Sequence, residues 1–278
     1  MNPRMYVILI MALLVLITFS VSVHTSGAQQ TDVESGEAPI SFSCVAFRLD
    51  DIQDYFVTKA QMAVITTFEQ NNASLTVGII GNHFGNDSAI TGFLQDKLAR
   101  DYDNGFSIEI ANHGWNHKDF TRFTRAEQSA LLQHTDARIM DVLGLKPVIF
   151  IPPYNRVNDD TIVVLLENDF IFMSADTANY PASTISPNHN GSRGIDSMAT
   201  TSDPSRLILH FPSSADTGDL DFGTTEWLSK SHDETLSAIS ASMDELGYAV
   251  VTMHPMEFAS RNGTAYQNAV DNAQIREL

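Results

Sequence analysis

The sequence predicts an α/β fold in which strands alternate with helices around a parallel sheet, either open or closed into a barrel. Three observations carry this expectation. Seven short runs rich in β-branched and aromatic residues fall at 42–49, 75–80, 106–111, 147–151, 170–174, 207–211 and 248–253. Helix-like stretches separate most of them. The polar residues that bear chemistry (Asp50, His113, Tyr154, Asp176 and His254) sit at or just past the carboxyl ends of these runs, where such folds collect ligands.

Taken in order, the chain opens with Arg4 and an apolar run from Met5 to Phe19, followed by small polar residues and the cleavage-site-like Ser26-Gly27-Ala28. Residues 1–28 are expected to be a cleaved secretory signal or a retained membrane anchor of about 20 residues. Either places the remainder outside the cytoplasm. Residues 29–40, with Gly36 and Pro39, read as a linker, and 41–278 as one α/β domain. Thr124-Arg125-Ala126-Glu127 is a capping box that opens a helix ended by Gly144. Ser231-His232-Asp233-Glu234 opens another, ended near Gly247. Helical patterns also cover 59–70, 89–101 and 158–168. The stretch 178–204, rich in Ser, Thr, Asn, Gly and Pro, breaks the rhythm and reads as an insertion on the substrate side. There is no internal repeat.

The bulk composition narrows the function. With 34 acidic against 16 basic residues the formal charge is -18. A nucleic-acid binder needs clustered Lys and Arg to neutralise phosphates, so that class is excluded. The acidity is spread along the chain, as on a well-solvated surface. Hydrophobic residues make up 43% of the chain, enough for a core. Sequons at Asn72, Asn86, Asn190 and Asn262 fit an exported protein. The single Cys44 allows no internal disulfide, and its apolar surroundings predict a buried thiol.

The chemistry is concentrated in four segments. Asp50 and Asp51 end the first strand; side chains of neighbouring strand residues point to opposite sides, so the two carboxylates need not share one task. His113 and His117 are four apart, a spacing that puts both imidazoles on one face of a helical turn. With a carboxylate from another strand end they make a 2-His-1-carboxylate set with open positions. Such a set serves a hydrolase, or a non-haem iron oxygenase, whose usual all-β scaffold this chain does not match. Trp115 and Trp227 read as packing or as sugar-stacking surfaces. His83, His134, His210 and His232 lack partners at ligand spacing, and Glu257 reads as either site-lining or solvated.

These segments resemble carbohydrate esterase family 4, the polysaccharide deacetylases (NodB homology domain), over roughly 42–255. The resemblance implies an irregular (β/α) barrel with about seven parallel strands. Arg48-Leu49-Asp50-Asp51 is similar to the family's first motif, which implies Asp50 as general base and Asp51 as a metal ligand. His113-Gly114-Trp115-Asn116-His117 is similar to the second, with Asn116 in place of a hydroxyl residue, and implies His113 and His117 as the other ligands. Ile151-Pro152-Pro153-Tyr154 is similar to the third but lacks its arginine, which in the family orients the catalytic Asp; Arg156 and Arg48 are the candidate substitutes. The resemblance implies that Tyr154 supplies a backbone N–H to an oxyanion and that Pro153 lines the groove. Thr252-Met253-His254 keeps the family's late histidine, implied as general acid, with Asp176 placed to tune it. The opening Phe47–Asp51 and the His254-Pro255 pair are also similar to a DUF2334-like branch of the superfamily.

The function so implied is an exported metal-dependent hydrolase that removes acetyl groups, from amides or esters, of a glycan. Its cofactor is a divalent metal, zinc above all, with cobalt or nickel also fitting. Its partner is an acetylated glycan; a membrane enters only through the N-terminal segment. The missing arginine motivates an alternative, a carbohydrate-binding relative without turnover.

Overall fold

In a computed structural model of the chain, the described residues are 44–100, 105–176, 196–200, 203–221, 223 and 226–278. The expected signal or anchor, the linker, most of the 178–204 insertion and the Asn190 sequon lie outside them. Among the described residues, no helix is long and apolar enough to cross a membrane.

The elements follow the predicted alternation: β1 (Cys44–Ile52), α1 (Thr58–Gln70), β2 (Leu75–Ile79), α2 (Ser88–Leu98), β3 (Ile108–Asn112), α3 (Arg125–Leu143), β4 (Ile149–Phe150), α4 (Asp159–Glu167) and β5 (Phe172–Met173). Then come β6 (Asp196–Thr200), β7 (Asp203–His210), β8 (Ala215–Asp216), β9 (Gly218–Asp221) and β10 (Glu226–Ser229). The chain closes with α5 (His232–Leu246), β11 (Tyr248–Met253), β12 (Ala259–Asn262), β13 (Ala265–Val270) and α6 (Asn272–Glu277). Local chemistry sets the helix ends. Thr124–Glu127, Asn158–Thr161 and Ser231–Glu234 form reciprocal capping boxes on α3, α4 and α5. Gly144 and Gly247 end α3 and α5 with left-handed φ of 74° and 82°.

One sheet runs in the order β6-β7-β5-β4-β3-β2-β1-β11-β8, and only β6 is antiparallel to its neighbour. All seven strands read from the sequence belong to it. The sheet curls because the stretch 203–216 serves both margins: β7 pairs with β5, and after residues 211–214 β8 pairs with β11. The two-residue β8 is too short to leave a periodic signal, and so it escaped the sequence reading. Two antiparallel pairs, β9–β10 and β12–β13, stand outside the sheet.

The sheet's outer face packs on the helices. Leu49, Val77 and Ile79 meet Val64, Ile65, Ile90 and Leu94 in one core cluster, while Phe150 and Met173 meet Leu132, Ile162 and Leu165 in another. Arg48 and Asp50 alternate with these residues along β1 and face the other way, yet both are buried. Cys44 differs from expectation. It is exposed, because it starts β1 at the end of the strand remote from the core.

Candidate metal centre and catalytic site

Neighbouring side chains on a regular strand face opposite sides, and β1 breaks that rule at its end. The β1–β2 register slips between Leu49 and Ile52, and Asp51 adopts a left-handed φ of 61°. This bulge lets Asp50 and Asp51 both serve the mouth of the curled sheet. His117 (φ 49°) and Tyr154 (φ 60°) share the same unfavourable conformation. Of the eight non-glycine residues with positive φ among the described ones, these three line the mouth of the curled sheet.

Asp51, His113 and His117 converge so that one ligand atom from each lies within 4.8 Å of the others. His113 Nε2 and His117 Nε2 stand 3.3 Å and 3.2 Å from Asp51 Oδ1. His113 donates its Nδ1–H to the Ile151 carbonyl at 2.7 Å, which fixes the tautomer and leaves Nε2 free to bind. Asp51 Oδ1 and His113 Nε2 are buried with no hydrogen-bond partner of acceptable geometry. Buried polar atoms left this way are costly unless something fills the gap. One carboxylate and two imidazoles with a converging open centre fit a divalent ion such as zinc.

The electrostatics of Asp51 and His117 suit that ion, while His113 must give up a proton to bind it. Burial works against the Asp51 charge, but the His113 contact and the nearby His117, His113 and His254 outweigh it and hold its carboxyl well below the usual range. His117 is pushed down to about 4, first by burial and then by the charge of His113, so it is neutral at pH 7. Burial lowers His113 too, yet its contact with Asp51 and the charge of Asp50 raise it above the ordinary histidine value.

The loop that carries the two histidines is seated from below. Asn112, fully buried, takes the Gly114 N–H on its side-chain oxygen and donates to Asp136 at 2.8 Å. Gly114 has φ 76° and packs on Pro153, so Pro153 supports the loop rather than lining an open groove. Trp115 lies against His134 (centroids 5.6 Å apart) and under the Arg138 guanidinium, which makes it a packing residue.

Asp50 pairs with Arg48, one of the two candidates for the arginine absent from the third motif. Arg48 Nη2 is 3.2 Å from Asp50 Oδ2, with both side chains 3% exposed. The same guanidinium donates to the Ser174 carbonyl and hydroxyl at 2.8 Å and to Asn155 Oδ1 at 2.6 Å. Arg156 instead pairs with Asp119 at 3.1 Å on the surface. Asp50 Oδ1 is buried and has no partner.

His254 follows β11, whose Met253 is in register with Leu49 of β1, so Asp50 and His254 are neighbours at one rim. Its Nδ1 lies 3.2 Å from Glu257, and its ring faces Trp227 with centroids 3.9 Å apart. Tyr154 stands beside His117, ring centroids 4.8 Å apart, and the residue is 57% exposed. Asp176 is half-buried three residues past β5. The sequence left Glu257 open and did not separate Trp227 from Trp115. Glu257 carried a signal, one turn beyond His254; Trp227 carried none, because β10 joins the site only through tertiary packing.

Comparison with known proteins agrees with this architecture. Residues 39–171 match the polysaccharide deacetylase family model. An uncharacterized protein of Bacillus subtilis (strain 168), YlxY, is 30% identical over 108 residues, 35% of this chain and 32% of its own length, so the match spans about a third of that relative. Among solved structures, a protein from Mycobacterium smegmatis assigned to the polysaccharide deacetylases superposes with a TM-score of 0.53 at 16% identity, covering 78% of each chain. A carbohydrate esterase family 4 pseudoenzyme from Bacillus anthracis gives 0.46 at 14% identity, covering 78% of this chain and 56% of its own. The fold of the described residues is shared with the Mycobacterium smegmatis structure, a (β/α) barrel of the polysaccharide deacetylase type, and residues 39–171 are similar to the polysaccharide deacetylase family.

Proposed function

We propose that the protein is an exported, metal-dependent hydrolase that removes acetyl groups from a glycan. The observation that carries this reading is the convergence of Asp51, His113 and His117 at a rim shared with Asp50 and His254.

Asp51, His113 and His117 would hold a divalent ion, which would supply Lewis acidity toward the acyl carbonyl and the attacking water. The chain's own groups do the rest. Asp50, anchored through Oδ2 by Arg48, presents its unpartnered Oδ1 to take the proton of the attacking water. The Tyr154 backbone N–H donates to the oxyanion. His254, bonded to Glu257 through Nδ1, offers Nε2 to protonate the departing amine or alkoxide. Arg48 on Asp50 also favours turnover over a binding-only role, since the arginine absent from the third motif was the reason to consider that role.

The test is acetate release from N-acetylated chito-oligosaccharides by the domain from residue 39 onward, with chelator, with added zinc, and in Asp50→Asn and His113→Ala. Zinc-dependent release lost in both variants supports the reading. Glycan binding without release by the zinc-loaded wild type would replace it with a binding function. Export is tested separately, by finding the protein outside the cytoplasm only when residues 1–28 are present.

A further inference from the structure

The strands outside the main sheet build a seat around one side chain. His254 donates its backbone N–H to Glu257 Oε1 at 3.0 Å, and its ring Nδ1 lies 3.2 Å from the same oxygen. The Glu257 N–H returns to the His254 carbonyl at 3.1 Å. The other carboxylate oxygen, Oε2, accepts the Thr217 hydroxyl. The Glu257 side chain is 1% exposed. A buried carboxylate is tolerated where several donors converge on it, and three do so here.

Room for it comes from Gly218 on β9. A Cβ there would stand 2.9 Å from Glu257 Cδ and 3.0 Å from Oε2. The opposite constraint comes from β10. The Trp227 ring covers His254 at 3.9 Å between centroids, inclined by 32°. The Trp227 backbone is fixed: its main-chain N–H donates to the Tyr266 hydroxyl of β13 at 3.0 Å, and its carbonyl accepts from Arg261. Ser229 bonds the Glu257 carbonyl at 3.4 Å.

Resting on the reading of His254 as proton donor, we propose that Glu257 and Trp227 are positioning residues that clamp this histidine. Glu257 fixes the Nδ1–H tautomer and turns Nε2 to the mouth, while Trp227 holds the plane of the ring. The charges around the ring fit this. Besides Glu257, it is coupled to Asp50 and Asp51 from β1, His117 from the loop after β3 and Asp216 from β8. Burial pushes the His254 ring toward its neutral form, and the Glu257 hydrogen bond opposes that.

The experiment follows His254 by 15N-edited NMR in the zinc-loaded protein, beside kcat and KM against pH on an N-acetylated chito-oligosaccharide. Glu257→Gln keeps the shape and removes the charge. Its expected effect is a His254 titration lowered by about one pH unit, with the alkaline limb of kcat moving equally and KM and zinc content unchanged. Gly218→Ala, which displaces the carboxylate, is expected to move the titration in the same direction. Trp227→Ala is expected to lower kcat about tenfold, and Trp227→Phe to restore most of that loss. An unmoved titration and tautomer in folded Glu257→Gln and Gly218→Ala would overturn the clamp. Absence of acetate release from the wild type would overturn the deacetylase reading instead, and the NMR titration would still decide whether Glu257 sets the state of His254.

Discussion

Replacing Arg48 by methionine is expected to destabilise the domain strongly, through the acceptors it leaves behind. The Arg48 and Asp50 side chains are each 3% exposed, so bulk water does not screen their interaction. Removing one member of a buried ion pair costs about 3–5 kcal/mol, because the other charge stays buried without a partner. The Ser174 carbonyl and Asn155 Oδ1 lose donors as well. Taking about 4 kcal/mol for the whole, and about 2–4 °C per kcal/mol for a domain of this size, the melting temperature falls by roughly 8–16 °C. Arg48→Met combined with Asp50→Asn is expected to recover about half of that loss, since it removes the stranded charge. Arg48→Lys keeps the charge but not the fork that reaches three residues, and should fall between. Thermal unfolding followed by circular dichroism at pH 7.5 measures all four proteins. An Arg48→Met domain melting within about 3 °C of the wild type would refute the argument.

Zinc affinity is expected to fall with acidity in two stages. His113, raised above the ordinary histidine value, has to lose one proton to bind, so affinity drops tenfold per pH unit below that value. His117, at about 4, adds a second proton only near that pH; calorimetric titrations showing a two-proton slope already at pH 6 would contradict this. Asp136 is raised to about 6, mainly by burial, so the folded state binds its proton more tightly than the unfolded chain and stability declines as pH rises from 3.8 to about 6. Asp136→Asn should abolish that slope and stabilise the domain at pH 7.5 by at most about 3 kcal/mol, with no difference at pH 3, as urea melts at the two pH values would show. Gly81→Ala places a Cβ 2.9 Å from both the Thr135 Cα and Trp115. Expected are a loss of about 1–3 kcal/mol in the same melts and weaker zinc binding, because Gly81 donates its N–H to the Gly114 carbonyl of the histidine loop.

What the sequence made legible follows from the range over which each signal acts. The seven main strands and the capping boxes at Thr124 and Ser231 are local patterns, and a reader needs only a few consecutive residues to see them. His113 and His117 were legible as a pair, but not the helical turn read from their spacing: they lie on a non-helical loop with Gly114 at φ 76° and His117 at φ 49°. The joint use of Asp50 and Asp51 was not legible, because it depends on a bulge with Asp51 at φ 61°, and the alternation rule argues against it. Arg48 carried a readable sign, since residues two apart on a strand share a face, but Ser174 and Asn155, which complete its seat, are 126 and 107 residues away. Cys44 was misread because an apolar neighbourhood in sequence says nothing about which end of a strand reaches the core.

The curled sheet also divides the site along the chain. Residues 39–171, the part similar to the family model, supply the candidate metal-ligand set, Asp50 and Tyr154, whereas His254, Glu257, Thr217 and Trp227 all come from beyond residue 203. Under the proposed reaction the first part handles the attacking water and the second the departing group. An amide nitrogen needs a proton to leave, whereas an ester oxygen needs far less help. Preference between N-acetyl and O-acetyl substrates therefore becomes a property of the C-terminal strands, free to diverge by substitutions that never touch a metal ligand.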